Sequence, residues 1–128
     1  MKSDLQENIK GAQKAAKNYP DYAKNLSRIG IQSYTVDTAT STILYRLSTG
    51  ENFLSQGNNP IRQIVPDFDK EAVIAAVRNN QQGKTDYPGF MNEIAAAGCR
   101  FYEATFLGDH PRVTYVGSGG FYEELIPW

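Results

Sequence analysis

A stretch of about fifty residues occurs twice in this chain, 68 positions apart, and this internal similarity limits the possible folds more than any other feature. The dipeptide Tyr19-Pro20 recurs as Tyr87-Pro88. Further matched pairs are Gln13 with Gln81, Gly30 with Gly98, Tyr34 with Tyr102 and, at an offset of 70, Ile43 with Val113, Tyr45 with Tyr115 and Gly50 with Gly120. Self-similarity of this kind is typical of a repeated structural unit, so we expect two copies of one unit.

Each copy is predicted to begin with two helices. In the first copy, apolar residues recur on one helical face at Leu5, Ile9, Ala12 and Ala16. Asn18 and Asp86 are placed to cap the helices that open at the Tyr-Pro pairs, and Asp69 is placed to cap the first helix of the second copy. Gly30 and Gly98 follow the last apolar residue of a helix, where a left-handed backbone commonly ends it.

After each of these glycines the hydrophobic period changes to two, which predicts antiparallel hairpins. The predicted strands are 32–37 with 41–46 in the first copy and 100–107 with 112–117 in the second. A third short strand is expected after each hairpin, at 51–54 and 121–126. The predicted fold class is therefore α+β, an internally duplicated ααββ unit with its antiparallel β-hairpins packed against helices.

The length of 128 residues fits a single domain over 1–128. Within it we expect repeat one over 4–54, a linker over 55–66 and repeat two over 67–128.

Composition excludes several classes of function. The net charge of −1 predicts no general attraction to nucleic acid or to an anionic membrane. No apolar run approaches the length of a membrane span, and the polar start Met1-Lys2-Ser3-Asp4 predicts no signal segment. Because Cys99 is the single cysteine, an internal disulfide is impossible and a reducing, cytoplasmic location is expected.

The sequence contains no recognisable catalytic constellation, so we predict no catalytic residue, metal site or cofactor. His110 is the single histidine and lies in a Gly-Asp-His-Pro turn, where solvent exposure is usual. Cys99 occupies the place of Ile31 in the first copy, which favours a buried structural thiol over a nucleophile.

Repeated tyrosines are the best candidates for ligand binding. A tyrosine ring fills apolar space while its hydroxyl group seeks a partner, so these residues suit either a core or the edge of a pocket. The candidate ligand-binding residues are Tyr34, Tyr45, Tyr102, Glu103 and Tyr115. Glu103 alternates in phase with Tyr102 and is expected on the opposite face of its strand.

The end of the chain is apolar and suggests an interface. Residues 125–128 finish on the single tryptophan, which we expect to pack either on the protein's own core or on a second subunit. Phe121, Tyr122 and Trp128 are the candidate interface residues, and a homodimer is the expected assembly.

Four segments resemble a family of uncharacterised bacterial proteins. They are 30–37 (GIQSYTVD), 86–90 (DYPGF), 94–98 (IAAAG) and 122–127 (YEELIP). Together they are similar to the YbcV-like family, whose members occur in prophage regions and are often labelled "phage envelope protein". The resemblance spans roughly residues 9 to 127. It implies a small α+β domain of bacterial or prophage origin without an assigned activity, cofactor or catalytic residue.

Three functions remain open from the sequence. The first is a non-catalytic cytoplasmic module that binds an unidentified small molecule or protein. The second is an enzyme that uses a tyrosine, Arg100, Glu103 or His110 in a cleft between the repeats. The third is a phage structural, envelope-like protein, which the family label implies.

Overall fold

The computed structural model describes residues 2–57 and 60–128. Met1, at the start of the predicted domain, and Asn58 and Asn59, within the predicted linker, lie outside the described residues. Within those two ranges the chain forms four α-helices and a six-stranded antiparallel sheet, with the helices packed on one face of the sheet. The predicted α+β class is confirmed.

Both halves of the chain have the same order of elements, two helices followed by three strands. The first half contains α1 (Lys2–Ala15), α2 (Tyr19–Arg28), β1 (Ile31–Asp37), β2 (Ile43–Leu47) and β3 (Asn52–Ser55). The second half contains α3 (Lys70–Gln81), α4 (Tyr87–Ala96), β4 (Cys99–Thr105), β5 (Arg112–Gly117) and β6 (Gly120–Leu125). The predicted ααββ unit is therefore corrected to ααβββ, because the third strand of each half pairs with the hairpin before it.

The two halves join through their first strands. The strand order is β3-β2-β1-β4-β5-β6, so β1 and β4 lie side by side at the centre of the sheet. Their register places Val36 opposite Tyr102 and Thr35 opposite Glu103. Within each half the helices pack on each other, α1 on α2 and α3 on α4.

The predicted ends of the helices are confirmed. The side chains of Asn18, Asp69 and Asp86 each accept a backbone hydrogen bond from the residue three positions later, at 2.9, 3.1 and 2.8 Å. Gly30 and Gly98 end α2 and α4 with φ angles of +98° and +82°. These left-handed angles suit glycine because it has no Cβ atom.

The hydrophobic core lies between the helices and the sheet. Its fully buried members include Leu26 of α2, Val36 of β1, Val73 of α3 and Met91 and Ile94 of α4. None of the helices in the described ranges combines the length and the apolar character needed to cross a bilayer.

Candidate functional site

The helix-covered face of the sheet, which we call the inner face, carries two rows of aromatic rings. Cross-strand pairing puts the side chains of paired residues next to each other on one face. The rows, from the centre of the sheet to its edges, are Tyr34, Tyr45 and Phe53 in the first half and Tyr102, Tyr115 and Tyr122 in the second. Neighbouring ring centroids in these rows are 5.3–6.1 Å apart. Each half therefore contributes one continuous aromatic surface.

A helix-opening tyrosine in each half contacts the innermost ring of the row. Tyr19 is the first residue of α2, and its hydroxyl oxygen lies 2.5 Å from that of Tyr34. Tyr87 is the first residue of α4, and its hydroxyl oxygen lies 3.3 Å from that of Tyr102. Both pairs are 15 residues apart in the sequence, so the same connection is made twice.

The next connection differs between the halves. The hydroxyl oxygens of Tyr22 and Tyr45 lie 3.5 Å apart, but Phe90 stands where a second Tyr22 would be. Phe90 contacts the Tyr115 ring edge-on, at 6.4 Å between centroids, and has no hydroxyl group to offer. Tyr115 is 7% exposed, and no described residue forms a hydrogen bond with its hydroxyl group. The Tyr115 hydroxyl group therefore has no partner among the described residues, and its oxygen is not sealed from solvent.

A cavity of about 940 Å³ lies between the helices and the inner face. Seven of the eight tyrosines line it, all except Tyr122. Side chains such as Val36, Ile43 and Val113 form the apolar part of the cavity wall. Polar side chains of α1 form another part of it. Cavities that hold small organic molecules are typically of this size and combine apolar walls with a few polar groups.

The phenol groups of the cavity wall stay neutral. Burial raises the pKa of Tyr34, Tyr102 and Tyr115 well above the usual value near 10, and nearby phenols raise it further. Burial also raises the pKa of Tyr19 and Tyr22. At physiological pH these groups can donate and accept hydrogen bonds, but they carry no negative charge and are poor nucleophiles or bases.

Glu124 of β6 is the acidic residue that lines the cavity, and three side chains already bind its carboxylate. Arg78 and the Tyr122 hydroxyl group donate to Oε1 at 2.5 and 2.6 Å, and Gln81 donates to Oε2 at 2.7 Å. Partial burial acts to raise the pKa of the Glu124 carboxyl group, but these hydrogen bonds outweigh it and hold that pKa below its usual value. Its charge is therefore compensated within the second half.

The structure brings together four of the five predicted ligand-binding residues. Tyr34, Tyr45, Tyr102 and Tyr115 all line the cavity. Glu103 lies on the opposite, outer face of the sheet, as its phase predicts, where its carboxylate accepts from Thr35 at 3.2 Å and from Arg46 at 3.4 Å. Glu103 is therefore not part of the cavity.

The three predicted interface residues do not share a surface. Phe121 lies on the outer face and is 63% exposed, whereas Tyr122 lies on the inner face and stacks on Tyr115 at 6.1 Å. Trp128 is 52% exposed and packs against Phe106, with 5.7 Å between ring centroids. The tail therefore covers part of its own sheet.

Cys99 and His110 lie away from the cavity. Cys99 is buried at the start of β4, and burial raises the pKa of its thiol to about 11, so it is a structural residue rather than a reactive one. His110 is exposed in the turn between β4 and β5. Within the described ranges, no three His, Cys, Asp or Glu side chains come together in a group that could hold a metal ion.

Two parts of the cavity wall were not predicted from the sequence. The first is Tyr19 and Tyr87, interpreted above only as helix-opening residues. The second is the polar side of α1 and the residues after it, formed by Gln6, Lys10, Gln13 and Lys17. The signal was present, because these four follow the apolar face of α1 at the same helical spacing, one residue later in the chain.

Comparison with known proteins gives a family but no activity. A family model described as a protein of unknown function, DUF1398, matches residues 7–115, which is most of the chain. No curated protein matches the chain.

Proposed function

We propose that this chain, which belongs to the DUF1398 family of proteins of unknown function, is a non-catalytic module that binds a small organic molecule in its tyrosine-lined cavity. The observation that carries the proposal is the cavity of about 940 Å³, with the unpaired hydroxyl group of Tyr115 in its wall. This hydroxyl group is accessible from the cavity, so a ligand could hydrogen-bond it in place of water.

The composition of the wall supports binding rather than catalysis. The alternative of an enzyme requires a base, acid or nucleophile beside the bound molecule. Of the candidates for that role, Arg100, Glu103 and His110 do not line the cavity, and the tyrosines that do line it remain protonated. What remains is an apolar and aromatic surface with neutral phenols, the carboxylate of Glu124, which Arg78 already binds, and the ammonium groups of Lys10 and Lys17. Such a wall is suited to recognition.

The proposal can be tested with N-phenyl-1-naphthylamine, a neutral fluorescent dye whose emission rises in apolar sites. We expect the protein to bind it at one site. Ile43→Trp, which adds a large ring to the cavity wall, should abolish that binding because the two rings compete for the same space.

The matched control is Leu44→Trp, one residue along the same strand and on the outer face. It should bind the dye like the unmodified protein. Circular dichroism would establish that both variants are folded. Absence of dye binding to the unmodified protein, or equal loss in both variants, would contradict the proposal.

We also propose that the two halves arose by internal duplication. The proposal is supported by the shared element order, by the left-handed Gly30 and Gly98, and by the two tyrosine pairs with the same spacing of 15 residues. A crystal structure in which the Tyr19–Tyr34 pair does not superpose on the Tyr87–Tyr102 pair, after rotation about an axis between β1 and β4, would argue against it.

The cellular location, the origin and the assembly of the protein are further parts of the proposal. A cytoplasmic location is supported by the single buried cysteine, and a bacterial or prophage origin by the resemblance to the YbcV-like family. A homodimer is supported by the exposed Phe121 on the outer face of β6. Cell fractionation would check the location, and light scattering would check the homodimer. Light scattering at high concentration would also reveal large particles if the protein is envelope-like.

A further inference from the structure

Two lysines line the cavity without an ion-pair partner. Lys10 lies on α1 and Lys17 lies two residues after its end; both side chains line the cavity and are exposed to solvent. Neither ammonium group forms an ion pair with a described residue. Ion pairs between described residues join Arg46 to Glu103, Arg78 to Glu124 and Arg112 to Glu123, and none of these involves a lysine. The cavity thus has a positively charged side.

The rest of the lining does not offset this charge. Glu124 is the acidic residue among the lining side chains, and Arg78 already neutralises it. The phenols in the wall are neutral hydrogen-bonding groups, because burial keeps them protonated. A ligand in this cavity therefore meets two ammonium groups that no lining carboxylate neutralises. The Asp21 carboxylate accepts from the backbone N–H of Lys17 at 3.3 Å but does not line the cavity.

Away from the lysines the wall is apolar and aromatic. Val36, Ile43 and Val113 lie beside the rings of Phe53 and Phe90 in the lining. Such a surface favours an apolar body and disfavours a compact, strongly hydrated ion such as phosphate alone. Positive charge on one side and apolar wall on another are the complement of an amphiphilic molecule.

We infer that the cavity takes an amphiphilic organic anion, with an acidic head group beside Lys10 and Lys17 and an apolar body between the two aromatic rows. A long-chain carboxylate and an aromatic carboxylate or sulfonate share this chemistry. The inference rests on the proposed function and deepens it, because it specifies the class of ligand that the cavity binds.

Two dyes with the same ring system separate the inference from the function on which it rests. N-phenyl-1-naphthylamine is neutral, and 1-anilinonaphthalene-8-sulfonate adds a sulfonate group to the same rings. We expect both dyes to bind the unmodified protein, and the sulfonate to bind more tightly. Replacing both lysines (Lys10→Gln with Lys17→Gln) should weaken sulfonate binding about tenfold and leave the neutral dye unaffected, because only the charge–charge attraction is lost.

A matched double variant controls for net charge. Lys14 lies on α1 and Lys24 on α2, and neither lines the cavity. Lys14→Gln with Lys24→Gln changes the net charge by the same amount and should leave the affinity for both dyes within about twofold, because exposed charges at a distance are screened. The sulfonate dye should also raise the unfolding temperature, as a ligand of the folded state does.

The possible outcomes distinguish failure of the proposed function from failure of the inference about the ligand class. If neither dye binds, the proposed function fails and the inference fails with it. If the neutral dye binds but the sulfonate has no advantage, or both double variants weaken sulfonate binding equally, the inference fails while the proposed function stands. A sulfonate dye that lowers the unfolding temperature binds exposed apolar surface of a partly unfolded state, which also overturns the inference.

Discussion

The two halves of the molecule contribute corresponding positions to the cavity. At offsets of 68 or 70, the lining pairs are Ile9 with Val77, Gln13 with Gln81, Tyr19 with Tyr87, Tyr34 with Tyr102, Ile43 with Val113 and Tyr45 with Tyr115. All six pairs keep the size or the polarity of the side chain. The shape of the wall is therefore nearly the same on both sides.

The differences between the halves affect charge and hydrogen bonding. Lys10 corresponds to Arg78, but Arg78 is bound to Glu124 while Lys10 has no ion-pair partner in the described residues. Tyr22 corresponds to Phe90, which leaves the Tyr115 hydroxyl group unpaired. A symmetric wall thus holds an asymmetric set of polar groups, and this asymmetry would give a molecule bound as proposed one preferred orientation.

Of the predicted effects on stability, the largest should come from replacing the two helix-ending glycines. The two replacements should also differ in cost, and this difference would distinguish the two halves. A Cβ atom on Gly98 would lie 2.1 Å from the carbonyl oxygen of Asp67, whereas at Gly30 the nearest atom, Ser48 Oγ, is 3.6 Å away. We expect Gly98→Ala to cost about 3 kcal/mol or more, because backbone must move as well as adopt a strained φ angle. Gly30→Ala should cost about 1 kcal/mol, from the φ angle alone.

Urea unfolding of the two variants would measure this difference. If both variants lost the same free energy of unfolding, the close approach of the Asp67 carbonyl group to Gly98 would not be what makes the second half more sensitive.

The hydroxyl groups of the aromatic rows should differ in their contributions to stability. Tyr34→Phe removes the partner of Tyr19 and should cost about 1–2 kcal/mol. Tyr102→Phe should cost less than Tyr34→Phe, because Tyr87 is 43% exposed and water can replace the lost partner. Tyr115→Phe removes a hydroxyl group without a partner and should change stability by less than about 0.5 kcal/mol.

Chemical denaturation of the three variants would give this order. A large loss in Tyr115→Phe, comparable with that in Tyr34→Phe, would show that its hydroxyl group does have a partner in the folded protein.

At low pH the folded protein should lose a small amount of stability that Glu124, in the second half, contributes at neutral pH. The lowered pKa of Glu124 stabilises the folded protein above the unfolded-state value of about 4.3, and this stability is lost as the pH falls through the lower folded-state value. Since the side chain is partly exposed, the contribution should be below about 1 kcal/mol. Glu124→Gln should remove this part of the pH dependence.

Glu123→Gln is the control, because that residue forms an exposed ion pair with Arg112 on the outer face. Thermal unfolding between about pH 3 and pH 7 would compare the two variants. If both variants followed the same pH dependence, the hydrogen bonds to Glu124 would not be what lowers its pKa.

The local structure of this protein could be predicted because short-range signals determine it. The caps at Asn18, Asp69 and Asp86 and the stops at Gly30 and Gly98 depend on residues within a few positions, and all five are confirmed. Pairing of β1 with β4 depends on residues 64 to 72 positions apart. No local pattern specifies that pairing, so the sheet order was not predicted.

The candidate site was predictable only in part, for the same reason. Repetition identified four of the wall tyrosines, but the cavity exists because residues of α1 and α3 face the same sheet. Lys10 and Lys17 are exposed lysines, and only the fold shows that they line the same cavity as the aromatic rows. The unpaired state of Tyr115 follows from Phe90, a change that matters only once the two rings are in contact.

The most direct test of the central claim is a crystal structure of the protein with 1-anilinonaphthalene-8-sulfonate bound. The account predicts dye rings between the two aromatic rows and a sulfonate group within hydrogen-bonding distance of Lys10 or Lys17. Dye bound only on the outer face of the sheet, or a sulfonate group directed toward Glu124 and away from both lysines, would contradict it.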